Sequence, residues 1–175
     1  RQRQMCIRDR AEQLGLGHAV LCAERAVGQQ PFAVILADDF LVQEGLGVTS
    51  ELVDAFKKTG NHQISSMKVD RKDVSKYGIV KQDVDSGQVN GLVEKPNIDN
   101  APSELASIGR YILTPKIFDA LRLIETGVNN EIQLADAINL EASKGSVEMV
   151  QFKGIRFDCG SIEGFLEATR YVGIK

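Results

Sequence analysis

The 175-residue chain carries a formal net charge of −3, with 43% hydrophobic and 26% charged residues, which is the balance of an ordinary globular domain with its own core. That total does not mark a nucleic-acid-binding surface, although a few local lysines would suffice for a phosphate pocket. Cys6, Cys22 and Cys159 lack the CxxC spacing of a zinc site or the even count of a disulfide framework, and no apolar run approaches the ~20 residues that span a bilayer.

Residues 1–10 contain four arginines and no periodicity, and they read as a foreign or disordered tail. No apolar stretch stands behind them as in a signal peptide, so the plain reading is a cytoplasmic protein. From Gly17 to Val27 the spacing of Ala19, Val20, Ala23 and Val27 predicts a helix. Phe32–Ala37 is a continuous apolar run suited to a strand buried on both faces, and it ends in Asp38-Asp39. A second helix is expected from a Thr49 or Ser50 cap to Gly60, with Leu52, Val53 and Phe56 inward. His62–Val69 alternates like a strand.

The runs Tyr77–Lys81 and Gln88–Glu94 flank Asp85-Ser86-Gly87, the pattern of a β-hairpin. Pro96–Pro102 reads as a loop. Leu105–Leu113 predicts a strand, and Pro115 opens a short helix through Leu121. Glu131–Ser143 predicts an amphipathic helix with Ile132, Ala135, Ile138 and Leu140 inward. Short strands follow at Val147–Phe152 and Ile155–Phe157. Ser161 caps a last helix whose stripe is Ile162, Phe165, Leu166 and Ala168 or Thr169. Strand–helix alternation around a central hairpin predicts an α/β fold with a mostly parallel central sheet, in which ligands lie beyond the carboxyl ends of strands.

Three places could carry chemistry, each with a plainer alternative. Asp38 closes a strand, where a solvated carboxylate suits a hard divalent cation; a turn or helix cap would use the same residue. Asp39 should point away from Asp38. Asp158, between a strand and a helix start, is either a cap or a second carboxylate for the same cation. Glu94-Lys95-Pro96 ends a strand, where a lysine could neutralise a phosphate and a glutamate could grip two sugar hydroxyls, or the pair could be a surface ion pair. Gly15 and Gly17, in Leu14-Gly-Leu-Gly-His-Ala19, could let backbone approach a base or phosphate, or could simply loosen a helix start.

Taken in order, Leu14–Ala23, Phe32–Asp39, Tyr77-Gly78, Gly91–Pro96, Ala106–Leu113, Asn130–Ile138 and Asp158–Gly160 resemble the bacterial UTP–glucose-1-phosphate uridylyltransferases, from about Ala11 to the end. The resemblance implies a Rossmann-like nucleotidyltransferase fold and a Mg²⁺-dependent reaction of UTP with glucose 1-phosphate to give UDP-glucose and pyrophosphate. By the same resemblance Asp38 and Asp158 hold the metal, Gly15 meets uracil through its backbone, and Gly78 lies against the sugar. Glu94 grips sugar hydroxyls and Lys95 the sugar phosphate, which makes Lys95 and Asp38 the catalytic pair.

The resemblance also implies a homo-oligomer for the full-length protein. The family's glycine-rich N-terminal signature and first strand have no counterpart in this sequence, and Arg10 stands where the family carries a glutamine. Residues 11–175 are therefore expected to form a partial domain that is inactive and poorly stable alone. Rival readings are a dTDP-glucose-type nucleotidyltransferase, a metal-dependent glycosyltransferase, and a non-catalytic nucleotide-sugar-binding subunit.

Overall fold

The computed structural model describes residues 10–83, 88–125 and 130–174. The turn expected at Asp85-Ser86-Gly87 and all but the last residue of the arginine-rich tail lie outside these.

In chain order the elements are α1 (Gly15–Cys22), α2 (Glu24–Val27), β1 (Phe32–Ile35), β2 (Asp39–Val42), α3 (Val48–Thr59), β3 (His62–Lys68), β4 (Gly78–Gln82), β5 (Val89–Glu94), β6 (Leu105–Leu113), α4 (Lys116–Leu123), α5 (Leu134–Ala142), β7 (Val147–Gln151), β8 (Ile155–Asp158) and α6 (Ile162–Gly173). Short 3₁₀ turns at Arg71–Lys76 and Ile98–Asn100 flank the β4–β5 hairpin. No helix among the described residues is long and apolar enough to cross a membrane.

The main sheet runs β5-β4-β6-β3-β7, with β1 pairing the C-terminal half of β6; β2 and β8 form a separate two-stranded ribbon. The α/β class stands, with a finer point about direction. β1, β3, β4 and β7 all point the same way, but β6 runs backwards between them. Neighbouring strands are consequently antiparallel, except for β3 and β7 among the described pairs.

Period-two alternation on β6 divides the core between two layers. Tyr111 and Leu113 face α1, α4 and α5, packing with Val20, Phe118, Leu121, Ala137 and Ile138. Ile108 and Ile112 face α3, packing with Val48, Leu52 and Phe152. Strand β3, covered on both faces, buries five consecutive residues, His62–Ser66, where simple alternation had been expected.

Other differences from the sequence-based expectations have local causes. Strand β1 is buried on one face: Phe32 and Val34 pack inward, while Ile35 is 57% exposed. Helix α3 starts at Val48 with Gly47 as its cap residue, in place of the expected Thr49 or Ser50, and ends at left-handed Gly60 as expected. Helix α5 begins at Leu134, not Glu131, because the Ile132 backbone is already used: its N–H donates to Leu14 O at 2.8 Å and its carbonyl accepts from Gly17 N at 2.8 Å. The inward set rotates accordingly to Leu134, Ala137, Ile138 and Ala142, leaving Ala135 and Leu140 half-buried. Helix α6 is capped by Ser161, whose Oγ accepts from Gly164 N at 3.1 Å, as expected. It turns Gly164 and Ala168 inward, so of the expected stripe Ala168 is buried while Ile162, Phe165 and Leu166 face out, with Ile162 83% exposed and Phe165 58%.

Candidate active site

The two acids after β1 separate at the turn that leads into β2. Asp38 is exposed and Asp39 is buried. Ribbon pairing sets Asp39 opposite Asp158, and the Asp38 carbonyl accepts from Cys159 N at 2.7 Å, so the chain around residue 38 is tied to the turn after β8. A Cβ built on Gly160 would lie 3.2 Å from Asp158 Oδ1 and 3.4 Å from Asp38 Oδ2. Both carboxylates therefore border the same small space, although the chain separates them by most of its length. Gly160 N donates to Asp158 Oδ1 at 3.2 Å, which orients that carboxylate.

This donor set fits magnesium. Two solvent-facing carboxylates leave room for the water and phosphate oxygens that a small hard cation retains. Among the described residues no group of three or more His, Cys, Asp or Glu forms the closed protein cage that a structural metal would use.

Asp39 takes a different role. Its Oδ2 accepts from Gly109 N at 2.6 Å, and its Oδ1 accepts from Arg156 Nε at 2.5 Å; a second guanidinium nitrogen of Arg156 pairs with the same oxygen. Its own carbonyl accepts from Arg110 at 2.7 Å. A buried carboxylate is tolerated only with such partners. Sequence reasoning had passed over Arg156. The available signal was its position two residues before Asp158 on a strand, which puts both side chains on one face.

The hairpin supplies the second half of the site. Gly78 pairs with Glu94 across β4 and β5, and a Cβ at Gly78 would sit 3.0 Å from Glu94 Oε2. The missing side chain leaves this carboxylate open. Lys95 has φ 44°, its N–H donates to Tyr77 O at 3.0 Å, and its exposed ammonium lies 3.9 Å from Glu94 Oε1. Asp38, Tyr77, Gly78, Glu94, Tyr111 and Arg156 all line one cleft of about 210 Å³, with Leu16 and Gln133 on its wall. A larger cleft of about 590 Å³ lies at the other ends of β2 and β8, beside Val42, Glu51, Lys153 and Tyr171, and holds none of the expected site residues.

Of the residues singled out in the sequence, the cleft wall thus contains Asp38, Gly78 and Glu94. Asp158, Lys95 and Gly15 are not among the lining residues: Asp158 adjoins Asp38 beside Gly160, Lys95 follows Glu94 in the chain, and Gly15 precedes Leu16. Gly15 opens α1 with φ +87°, and a Cβ there would meet Ile132 O at 2.9 Å, so both backbone conformation and close approach call for glycine. Arg10 donates to the Gly15 carbonyl at 3.2 Å. Gln133, the residue that precedes α5, lies on the wall and donates to Glu131 Oε2 at 2.6 Å.

One buried titratable pair lies outside this cleft. His62 Nδ1 accepts from Thr114 N at 3.2 Å, and Nε2 lies 3.4 Å from Glu141 Oε2. Burial lowers the His62 pKa below its ordinary value, against the pull of Glu141. Burial alone would raise Glu141, but hydrogen bonds from Lys144 and Ser146 bring it below the usual carboxylate range.

The fold is thus a mixed sheet flanked by helices, with two carboxylates converging beside Gly160 and a hairpin-borne Glu-Lys pair at the end of β5. Residues 2–173 match the nucleotidyl transferase family, and the chain belongs to that family. It is 43% identical over 164 residues to a UTP–glucose-1-phosphate uridylyltransferase of Pseudomonas aeruginosa, an overlap of 91% of this chain and 59% of the relative. It is 42% identical to a UTP–glucose-1-phosphate uridylyltransferase of Bacillus subtilis, covering 93% of this chain and 56% of that one. Among solved structures, a UDP-glucose pyrophosphorylase complexed with UDP-glucose superposes with a TM-score of 0.87 at 41% identity, over 94% of this chain and 64% of that one. The chain spans less than two-thirds of the length of each of these proteins.

Proposed function

We propose that the protein acts as a UTP–glucose-1-phosphate uridylyltransferase. A phosphate oxygen of glucose 1-phosphate attacks the α-phosphorus of UTP, the bond to the β-phosphate oxygen breaks, and UDP-glucose and pyrophosphate are formed. The observation that carries the reading is the meeting of Asp38 and Asp158 beside Gly160, next to the cleft that Gly78 and Glu94 line.

In this reading Asp38 and Asp158 hold Mg²⁺, which supplies charge neutralisation on the phosphates. Glu94 accepts hydrogen bonds from sugar hydroxyls in the space that Gly78 leaves free, and Lys95 pairs with the sugar phosphate. Gly15 offers its backbone to the uracil. No covalent enzyme intermediate is needed, because positioning and charge carry this kind of transfer. We place the protein in the cytoplasm. The exposed apolar stripe of α6 supports assembly into a homo-oligomer.

Calorimetric titration with UDP-glucose and dTDP-glucose in the presence of Mg²⁺ tests the reading. UDP-glucose should bind at least about tenfold tighter, roughly 1.4 kcal/mol of discrimination. Equal affinity would favour the dTDP-glucose-type alternative, and binding of neither would remove the uridylyltransferase reading.

A further inference from the structure

Arg156 has no task in the reaction as outlined, yet its surroundings are unusually specific. Its side chain is only 12% exposed and lines the cleft. Nε and one terminal nitrogen hold Asp39 Oδ1. The other terminal nitrogen reaches the Tyr77 hydroxyl at 3.4 Å, and the guanidinium carbon stands 5.2 Å from the centre of the Tyr77 ring. The nitrogen that pairs with Asp39 also lies 3.9 Å from Asp158 Oδ2.

The ribbon explains the convergence. Asp39 faces Asp158 and Leu41 faces Arg156, so residues 39, 156 and 158 present their side chains on one face, with Arg156 diagonal to Asp39. Asp39 is itself immobilised by the Gly109 N–H of β6. The cation is thereby fixed to the main sheet on one side, while its stacking face and its free edge meet Tyr77. That tyrosine immediately precedes Gly78, and its carbonyl accepts the Lys95 N–H.

We propose that Arg156 is a positioning residue for the nucleotidyl transfer. Anchored by Asp39, it holds the Asp158 carboxylate and the Tyr77 ring in one geometry, so that the cation end and the sugar end of the cleft keep a constant separation. The inference rests on the function proposed above. Asp39 neutralises the guanidinium, which leaves the charge of Asp158 for the metal. Only a planar fork can pair with Asp39 and stack on Tyr77 together; a lysine would keep the charge and lose both. Groups that orient ligands without touching substrate are typically worth roughly 10–100-fold in affinity or activity.

The test is UDP-glucose titration calorimetry on the 175-residue chain, without Mg²⁺ and at saturating Mg²⁺, with circular dichroism and thermal midpoints recorded for every variant. Arg156→Gln should weaken UDP-glucose binding roughly 10–100-fold and shrink the gain that Mg²⁺ brings. Arg156→Lys should fail to restore either. Asp39→Asn should repeat the loss, and the double variant should bind no worse than the single ones, the mark of residues acting as one unit. Tyr77→Phe, which keeps the ring, should bind within about threefold of the unsubstituted chain, and Tyr77→Leu should not.

Should Arg156→Gln not fold, Arg156→Lys and Tyr77→Leu carry the same comparison. Folded variants with lowered midpoints but unchanged UDP-glucose affinity and unchanged Mg²⁺ gain would overturn the inference and leave the proposed function standing. Lack of UDP-glucose binding by the unsubstituted chain would overturn both.

Discussion

Gly164 and Asp158 touch backbone to backbone: a Cβ on Gly164 would collide with the Asp158 carbonyl oxygen. Helix α6 passes against the end of β8 at this glycine, and Ala168, one turn on, completes the buried face. Gly164→Ala should force the helix off the strand that ends in Asp158. We expect a loss of about 1–3 kcal/mol in urea-unfolding stability, the usual cost of overpacking. An unchanged midpoint would show that α6 does not brace Asp158.

The metal assignment predicts that the two acids differ from their neighbour. Asp38→Asn and Asp158→Asn should each abolish the Mg²⁺-dependent part of UDP-glucose binding while leaving the thermal midpoint within about a degree or two, since both carboxylates are exposed. Asp39→Asn should behave oppositely in stability, because it removes the charged acceptor that Arg156 and the Gly109 N–H share; a hydrogen bond to a charged group is worth about 1.5–3 kcal/mol. Thermal melts and calorimetry on the same three proteins separate the roles.

Asn139 closes the outer surface of β5 as a further strand would. Its Oδ1 accepts from Leu92 N at 2.5 Å and its Nδ2 donates to Leu92 O at 3.0 Å. Asn139→Ala leaves both backbone groups without partners and should cost about 1–3 kcal/mol. The substituted hairpin should show faster amide exchange at Leu92 than at Ile64 of the central strand. Equal protection at Leu92 in the two proteins would count against the bond.

The buried His62–Glu141 pair predicts how stability varies with acid. The folded-state pKa of His62 is lowered from 6.5, so the unfolded chain takes up a proton first as pH falls. Stability from this group is full above 6.5 and declines as pH drops below that value toward the folded pKa. Lys116 and Lys144 add to the burial in resisting the charge, while Glu141 opposes them. Glu141, also lowered, holds its contribution above 4.5 and loses it further down. Urea titrations at several pH values should therefore show a first decline beginning near 6.5, absent in His62→Gln, and a second beginning below 4.5.

Much of this chain could be read from residue order. The extent of β6, the hairpin strands, the Gly60 stop of α3 and the Ser161 cap follow from local signals: periodicity, turn residues and capping oxygens act within a few positions. Asp38, Glu94, Lys95 and Asp158 are visible as chemistry-bearing types at strand ends, and the family resemblance adds Gly78 and orders them into one expected site. Periodicity misled where burial depends on a partner. Ile162, Phe165 and Leu166 of α6 lie outward because close backbone approach at Gly164 selects the face it shares with Ala168, and α5 starts late because Ile132 is engaged by Leu14 and Gly17.

By itself the sequence determined the element types, the α/β class and the family, since each depends on short-range pattern or motif identity. Only the tertiary structure decided that Asp38 and Asp158 share one space, that Asp39 turns inward to Arg156, and that Tyr77 closes the bracket. The reason is that pairing between β2 and β8 joins residues far apart in the chain, and strand register, which no local signal encodes, chooses which side chains meet.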